Sequence, residues 1–366
     1  MRKAFLFTLS IIACSHAYAQ VPGITWQKSL GGTGTEEAKT IQPTSDGGYI
    51  VGGTTSSNDG DVTGNHDGKD CWVVKLNAAG AIEWQKTYGG SGTETFGSIR
   101  TTADGGYIMG ASTGSNDGDV SGSHGYSEAW VVKLNNVGTI EWQKCFGSSS
   151  GDYLDYIEET FDGGYICKGV YGPNDGGLGR AWIFKLNNAR EIQWQRTFLN
   201  GCPFCEGTSI KFIRQTNDSG FIYSTYTPYV GPSYASITKV NSAGVYIGGQ
   251  TFSAQAQPPI FAAAPANDGG CTIVYMDPED LSNFLLRKYS KTMSPEWTST
   301  LPVQGANMST IATTPDNGFL ITGYNNNWYT SLHNLPGSQS DSSDYWLAKL
   351  NSTGNLVWQR LMGSTG

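Results

Sequence analysis

Charge is scarce in this chain. Asp, Glu, Lys and Arg make up 15% of its 366 residues, 23 basic against 31 acidic, for a formal net charge of −8. No basic stripe is left to neutralise phosphates, which argues against a nucleic-acid partner. No apolar stretch beyond the N-terminus reaches 18 residues, so nothing there reads as a membrane-spanning helix. Histidine is rare: only His66, His124 and His333 lie beyond the first twenty residues, far apart, with no zinc spacing and no Ser-His-Asp order. The low charge and the 12% aromatic content exclude a disordered chain. The 49 glycines are clustered rather than spaced by three, which excludes collagen. What is abundant is Gly, Thr, Ser, Tyr and Val, the composition of a turn-rich all-β protein long enough to bury a large core.

The first nineteen residues read as a signal peptide. Arg2 and Lys3 form a positive start, Ala4 to Ala13 is mostly apolar, and Ala17-Tyr18-Ala19 offers a cleavage site. Ile11-Ile12-Ala13-Cys14 keeps lipidation at Cys14 as the alternative. Either route exports the protein, to the periplasm, the cell surface or the medium.

The strongest signal is internal repetition. Ile82-Glu83-Trp84-Gln85-Lys86 recurs at Ile140–Lys144, Ile192–Arg196 and Leu356–Arg360, and Ile24–Lys28 opens the series. With Gly248 and Trp297 in weaker copies, the slot falls at 26, 84, 142, 194, 248, 297 and 358, at intervals of 49 to 61 residues. A second Trp precedes it by twelve residues at Trp72, Trp130, Trp182 and Trp346, and only Trp328 among the eleven Trp lies outside these slots. Residues so placed pack between repeats. Asp-Gly-Gly recurs at Asp46, Asp104, Asp162 and Asp268, relaxed to Asp218-Ser219-Gly220 and Asp316-Asn317-Gly318. In the second unit the strands are expected at Ser98–Thr102, Tyr107–Ser112, Ala129–Leu134 and Thr139–Lys144, joined by Asp-Gly-Gly and Asn-x-x-Gly turns. Four antiparallel strands repeated six times make an all-β fold, a β-propeller of four-stranded blades over residues 20–366, with an extra N-terminal strand at Ile24–Ser29. The sequence reads as cut inside a repeat. A further three-strand piece would pair with that first strand and close a seventh blade; otherwise the ring has six.

Lys-Leu-Asn-x-x-Gly-x-Ile-x-Trp resembles the repeat of bacterial quinoprotein-like (PQQ-like) propellers. Gly-Gly-x-Gly-Thr-Glu and Asp-Gly-Gly-Tyr resemble the secreted bacterial repeats called SBBP β-propeller repeats. The resemblance spans roughly residues 24 to 363 and implies an exported, surface-associated protein of the kind found in Bacteroidetes-type bacteria. It does not extend to the quinone cofactor, because quinoprotein dehydrogenases use an adjacent Cys-Cys pair and this chain has none. The copper site of the galactose-oxidase type would need a His pair, which the scattered histidines do not offer.

The spacing locates the variable surface. From the Trp slot to the next turn Asp the distance is 20, 20, 20, 24, 20 and 19 residues, whereas from that Asp to the next slot it ranges from 29 to 42. The variation belongs to the loop between the second and third strands. It emerges on the same face as the blade-to-blade connection, and binding concentrates on such loops. There Ser57-Asn58-Asp59-Gly60-Asp61 matches Ser115-Asn116-Asp117-Gly118-Asp119, with a shorter Asn174-Asp175-Gly176. Asp59, Asp61, Asp117 and Asp119 are candidate Ca²⁺ ligands; the competing reading is a solvated Asx turn. Asn58, Asn116 and Tyr126 join them as binding candidates, and Tyr126, Trp328 and Tyr329 could stack on sugar rings. Cys202-Pro203-Phe204-Cys205 is an insertion on the same face, read as a local disulfide in an oxidising compartment. Cys145 and Cys167, in adjacent units, could also pair. Glu36, Glu94 and Glu206 recur in the connections, with Glu37 and Asp155 nearby.

The reading is an exported, non-enzymatic binding or scaffolding module at the cell surface, taking a glycan, protein or peptide on the loop face, without a cofactor unless the loops hold calcium. The alternative is a glycan-active lyase or hydrolase using the acidic loop residues. Unlike polar residues gathered at one spot would mark a catalyst; like residues spread around the ring mark a scaffold.

Overall fold

The computed structural model describes residues 25–362 apart from 173–178, 199–207, 228–232, 255–259, 278–282, 302–305 and 326–343. It contains six four-stranded antiparallel sheets and, among the described residues, no helix. Blade 1 comprises Glu36–Pro43, Tyr49–Thr55, Asp70–Leu76 and Ile82–Tyr88; blade 2, Glu94–Thr101, Tyr107–Thr113, Glu128–Leu134 and Ile140–Phe146. Blade 3 comprises Tyr153–Glu159, Tyr165–Tyr171, Arg180–Leu186 and Ile192–Phe198; blade 4, Ser209–Gln215, Phe221–Thr227, Ser233–Val240 and Tyr246–Ala254. Blade 5 comprises Ile260–Pro265, Cys271–Met276, Phe284–Tyr289 and Pro295–Leu301; blade 6, Ala306–Thr313, Phe319–Asn325, Asp344–Leu350 and Leu356–Met362. Within each blade the strands pair in chain order, and the first strands of all six line a central channel. The chain is therefore a six-bladed β-propeller.

Two turns set the register. In the Asp-Gly-Gly turn of blade 2, Gly105 takes φ of 81°, a conformation that costs any residue with a Cβ. Thr102 N donates to Gly106 O and Gly105 N to Thr102 O, while Asp104 Oδ1 accepts from Gly106 N. In the turn after the third strand, Asn135 Oδ1 accepts from Val137 N and Thr139 N, and Gly138 has φ of 74°. These turns place Lys133 opposite Trp142, followed by a bulge, and the same pairing sets Lys75 against Trp84, Lys185 against Trp194, Lys239 against Gly248, Lys288 against Trp297 and Lys349 against Trp358. The repeat slots are thus one structural position in every blade, Gly248 included.

Packing runs from blade to blade. Every residue of the third strand Glu128–Leu134 is buried, as a blade covered on both faces requires. Outer-strand Trp side chains of blades 1, 3 and 5 lean edge-on against the next blade: Trp84 on Tyr107 at 5.9 Å, Trp194 on Phe221 at 5.7 Å and Trp297 on Phe319 at 6.3 Å. Glycine in the second strand makes room for the neighbour. A Cβ on Gly52 would stand 2.1 Å from Phe96 Cζ of blade 2. Ile50, Val73, Phe96, Met109 and Trp130 accordingly form one core across blades 1 and 2. Each such side chain contributes roughly 1.5–3 kcal/mol on burial.

Three expectations need correction. The first strand of blade 2 starts at Glu94, not Ser98, because a bulge between Phe96 and Ser98 breaks the alternation that the sequence pattern follows. The expected strand at Ile24–Ser29 is not formed over its described residues, 25–29, since among the described residues no ladder partner lies beside them. Trp26 nevertheless packs on blade 1 as the other outer Trp pack on theirs, 5.6 Å from Tyr49, with its Nε1 donating to Ala78 O. Cys145 and Cys167 do not pair; both are free, and each is buried in a different inter-blade core.

Candidate functional site

The expected loop-face residues come together as ties between loop and connection. Asp59 Oδ1 accepts from Thr33 N at 2.8 Å and its Oδ2 from Thr33 Oγ1 at 2.9 Å; Asp61 Oδ2 accepts from Gly31 N at 3.1 Å. Blade 2 repeats this: Asp117 Oδ1 accepts from Ser91 N at 2.8 Å and Asp119 Oδ2 from Gly89 N at 3.2 Å. Asn58 and Asn116 turn inward, accepting from Gly64 N and Ser123 N of their own loops. The hydrogen bonds from Thr33 hold Asp59 below the usual carboxylate range, and those from Ser91 do the same for Asp117. Burial pushes Asp119 up despite the bond from Gly89. Ca²⁺ would have to compete with these N–H donors for the same oxygens. Among the described residues no three His, Cys, Asp or Glu side chains group as metal ligands. Tyr126 stands 85% exposed on this face. Trp328, Tyr329, Glu206, His333, Asn174-Asp175-Gly176 and the expected Cys202–Cys205 pair lie outside the described residues.

Behind these loops the seams between blades hold buried carboxylates. Glu94 Oε1 accepts from the hydroxyls of Thr113 and Ser115, both at 2.7 Å, and its Oε2 from Gly90 N. Asp70 Oδ2 sits 2.8 Å from His66 Nδ1, and Glu128 Oε2 2.9 Å from His124 Nδ1. Glu94, Asp70, Glu128 and Asp152 are all fully closed off from solvent. Burial raises Glu94 and Asp152 above the usual carboxylate range, against the hydrogen bonds they accept. A general acid must reach its substrate, and these groups face only protein.

A wide cavity lies elsewhere, at the channel mouth on the face of the tight turns. It measures about 930 Å³ and is lined by the ends of all six first strands. The position four residues before the turn Asp carries Gln42, Arg100, Glu158, Arg214, Ala264 and Ala312 in blades 1 to 6, and all six line the cavity. The residue at this position varies from blade to blade, whereas the one before it is Ile in five of six, at Ile41, Ile99, Ile157, Ile213 and Ile311. Tyr156 of blade 3 is the centre of the arrangement: Arg100 Cζ stands 5.0 Å from its ring centroid and Arg214 Cζ 4.7 Å, from the two flanking blades. Tyr156 Oη donates to Glu158 Oε2 at 2.5 Å, and Ala103 N donates to Glu159 Oε2 at 2.6 Å. Burial raises the Tyr156 hydroxyl well above its ordinary pKa, so it stays a neutral donor. Each Arg spends one N–H on the carbonyl beside it, Ile99 O and Ile213 O. Phe161, 67% exposed, stands at the rim.

None of these channel residues was singled out by the sequence pattern. Their signal is visible only when the six units are aligned on the turn Asp and read for the position that varies.

A scan against protein-family models finds no match, and a search of curated proteins finds none. Solved structures that are similar include an acylaminoacyl peptidase of Pyrococcus horikoshii, 11% identical with a TM-score of 0.48 over 90% of this chain; this chain covers 46% of the peptidase. The β-propeller domain of the Trilobed protease from Pyrococcus furiosus is 8% identical with a TM-score of 0.46, covering 90% of this chain and 98% of that one. A protein of unknown function from Dyadobacter fermentans is 10% identical with a TM-score of 0.48, covering 87% and 96%. At such identities the likeness concerns architecture only, which the strand topology already supplies.

Proposed function

We propose that this chain is an exported binding module that takes its ligand at the turn-face mouth of its channel. One observation carries the reading: six structurally equivalent positions hold Gln, two Arg, Glu and two Ala around one cavity, whereas the residue just before each is Ile in five of the six blades. A scaffold gains nothing from breaking its own repeat at one level of the ring. A binding site does, because a ligand without the ring's symmetry meets different groups on different sides. The loop-face carboxylates support the structural side of the reading, since each has an oxygen engaged by a backbone N–H of the connection. The seam carboxylates Asp70, Glu94, Glu128 and Asp152 are sealed and cannot serve the glycan lyase or hydrolase alternative as acid and base. Export rests on the leader-like residues 1–19.

The test is a glycan and peptide array probed with the protein and with Ala312→Trp. Ala312 is exposed in the cavity wall, so the indole fills the mouth without entering a core. A ligand retained by the native chain and lost by the variant supports the channel mouth. A ligand bound equally by both moves the site to the loop face.

A further inference from the structure

Resting on that reading of the channel mouth, we infer that the site selects a carboxylate-bearing ligand through Arg100 and Arg214. The argument starts from the charges in the cavity. Two guanidiniums and two carboxylates, Glu158 and Glu159, share one wall, and opposite charges so placed ordinarily pair. Among the described residues neither Arg pairs with either Glu. Glu158 is engaged by the Tyr156 hydroxyl and Glu159 by Ala103 N. The guanidiniums lie against the Tyr156 ring instead, each with one N–H on a neighbouring carbonyl. A guanidinium has five N–H donors in a fixed fork, so most remain free for a ligand. Stacking holds the forks in place before any ligand arrives, which lowers the ordering cost of binding.

The charge of the ligand follows from the same wall. A phosphate dianion would gain from two Arg but meet two carboxylates at close range. A carboxylate carries one charge in the planar, two-oxygen shape that a guanidinium fork matches. The exposed ring of Phe161 at the rim offers an apolar face to the body of the ligand. A sugar acid and a peptide C-terminus share this chemistry.

NMR titration of the native chain with matched probes tests the inference. The pairs are glucuronate against glucose and N-acetylalanine against its amide, with inorganic phosphate alongside. At least one carboxylate is expected to bind ten-fold or more tighter than its neutral partner, and which pair responds tells a sugar acid from a peptide end. Arg100→Gln and Arg214→Gln are each expected to abolish that preference, with Arg100→Lys keeping part of it. Ala312→Glu leaves the stack untouched and adds a negative charge to the cavity; it is expected to weaken the carboxylate several-fold more than the neutral probe. Neutral probes binding as tightly as carboxylates, with binding still lost in Ala312→Trp, would overturn the inference and leave the channel-mouth site standing. Phosphate binding more tightly than both carboxylates would also overturn it. Probes that bind equally to Ala312→Trp would overturn both.

Discussion

Lys133 Nζ stands 2.8 Å from Asp104 Oδ2, so a buried cation of the third strand clamps the tight turn between the first two. The pair recurs in every blade: Lys75 with Asp46, Lys185 with Asp162, Lys239 with Asp218, Lys288 with Asp268 and Lys349 with Asp316, at 2.5–3.0 Å. Lys133 also donates to Leu134 O and to Glu141, and its side chain is 4% exposed against 56% for Asp104. Burying an ammonium is costly unless its donors are met, and three acceptors meet them here.

That asymmetry gives unequal mutational effects. Lys133→Ala removes the centre of the network and leaves a cavity; it is expected to cost about 2–4 kcal/mol. Asp104→Ala leaves Lys133 bonded to Glu141 and is expected to cost about 1 kcal/mol. Urea denaturation of both variants and of the double variant checks this. Equal losses would mean the half-exposed Asp, not the buried Lys, holds the turn.

The clamps set an acid limit on stability. Burial works to raise Asp104, but bonds from Lys133, the Thr102 hydroxyl and Gly106 N hold it at about 2. The other five turn aspartates are shifted in the same direction. A carboxyl whose folded pKa lies below its unfolded value stabilises above about pH 4 and loses that contribution as pH falls through the folded value. The seam acids Glu94 and Asp152 and the loop acid Asp119 are shifted upward, so their contribution has the opposite sign and fades as pH rises through their folded values. The melting temperature is expected to fall steeply below about pH 4 and gently above about pH 5. A flat profile from pH 7 to pH 3 would contradict the clamps.

The two turn glycines separate strain from crowding. A Cβ on Gly105 would meet nothing within 4 Å, so Gly105→Ala carries only the cost of positive φ, about 1–2 kcal/mol. A Cβ on Gly138 would also press on Trp84 at 2.9 Å and Tyr88 Oη at 3.0 Å, so Gly138→Ala is expected to lose more. In blade 3 Arg190 occupies the same turn position at φ of 67° and lays its guanidinium 4.8 Å from the Trp142 ring. Arg190→Gly is expected to change stability little, trading relieved strain for the lost stacking contact. Chemical denaturation of the three variants ranks them.

Thiol titration tests the cores. Cys71, Cys145, Cys167 and Cys271 are free and buried, and burial pushes the Cys145 thiol up to about 12. These four are expected to stay unreactive to a thiol reagent in the native protein and to react fully on unfolding. A peptide map of the unreduced protein that links Cys145 to Cys167 would contradict the packing.

The repeat made most of the fold legible. Trp84, Trp142 and Trp358 announce one structural position, and the structure places all of them opposite the strand lysine, with Gly248 in the same seat. The clamp was hidden because Lys133 and Asp104 lie 29 residues apart in the chain and meet across two hairpins, a contact that no local period encodes. The start of the strand at Glu94 was hidden by the bulge before Ser98. On the loop face, closely spaced Asp oxygens look alike in sequence whether they await a cation or accept N–H groups. Only placement beside Gly31 and Gly89 tells Asp61 and Asp119 apart from ligands. The channel residues were silent for the opposite reason: Arg100, Glu158 and Arg214 belong to no motif, and their meaning lies in departing from one.

The most direct measurement is a crystal structure of the full chain soaked with a mixture of small sugars, sugar acids and N-acetyl amino acids. Density for a compound at the channel mouth, between Arg100 and Arg214 and beneath Phe161, is the expected result. Density confined to the loops around Asn58 and Asn116, with the channel mouth holding only solvent, would contradict the assignment of the site.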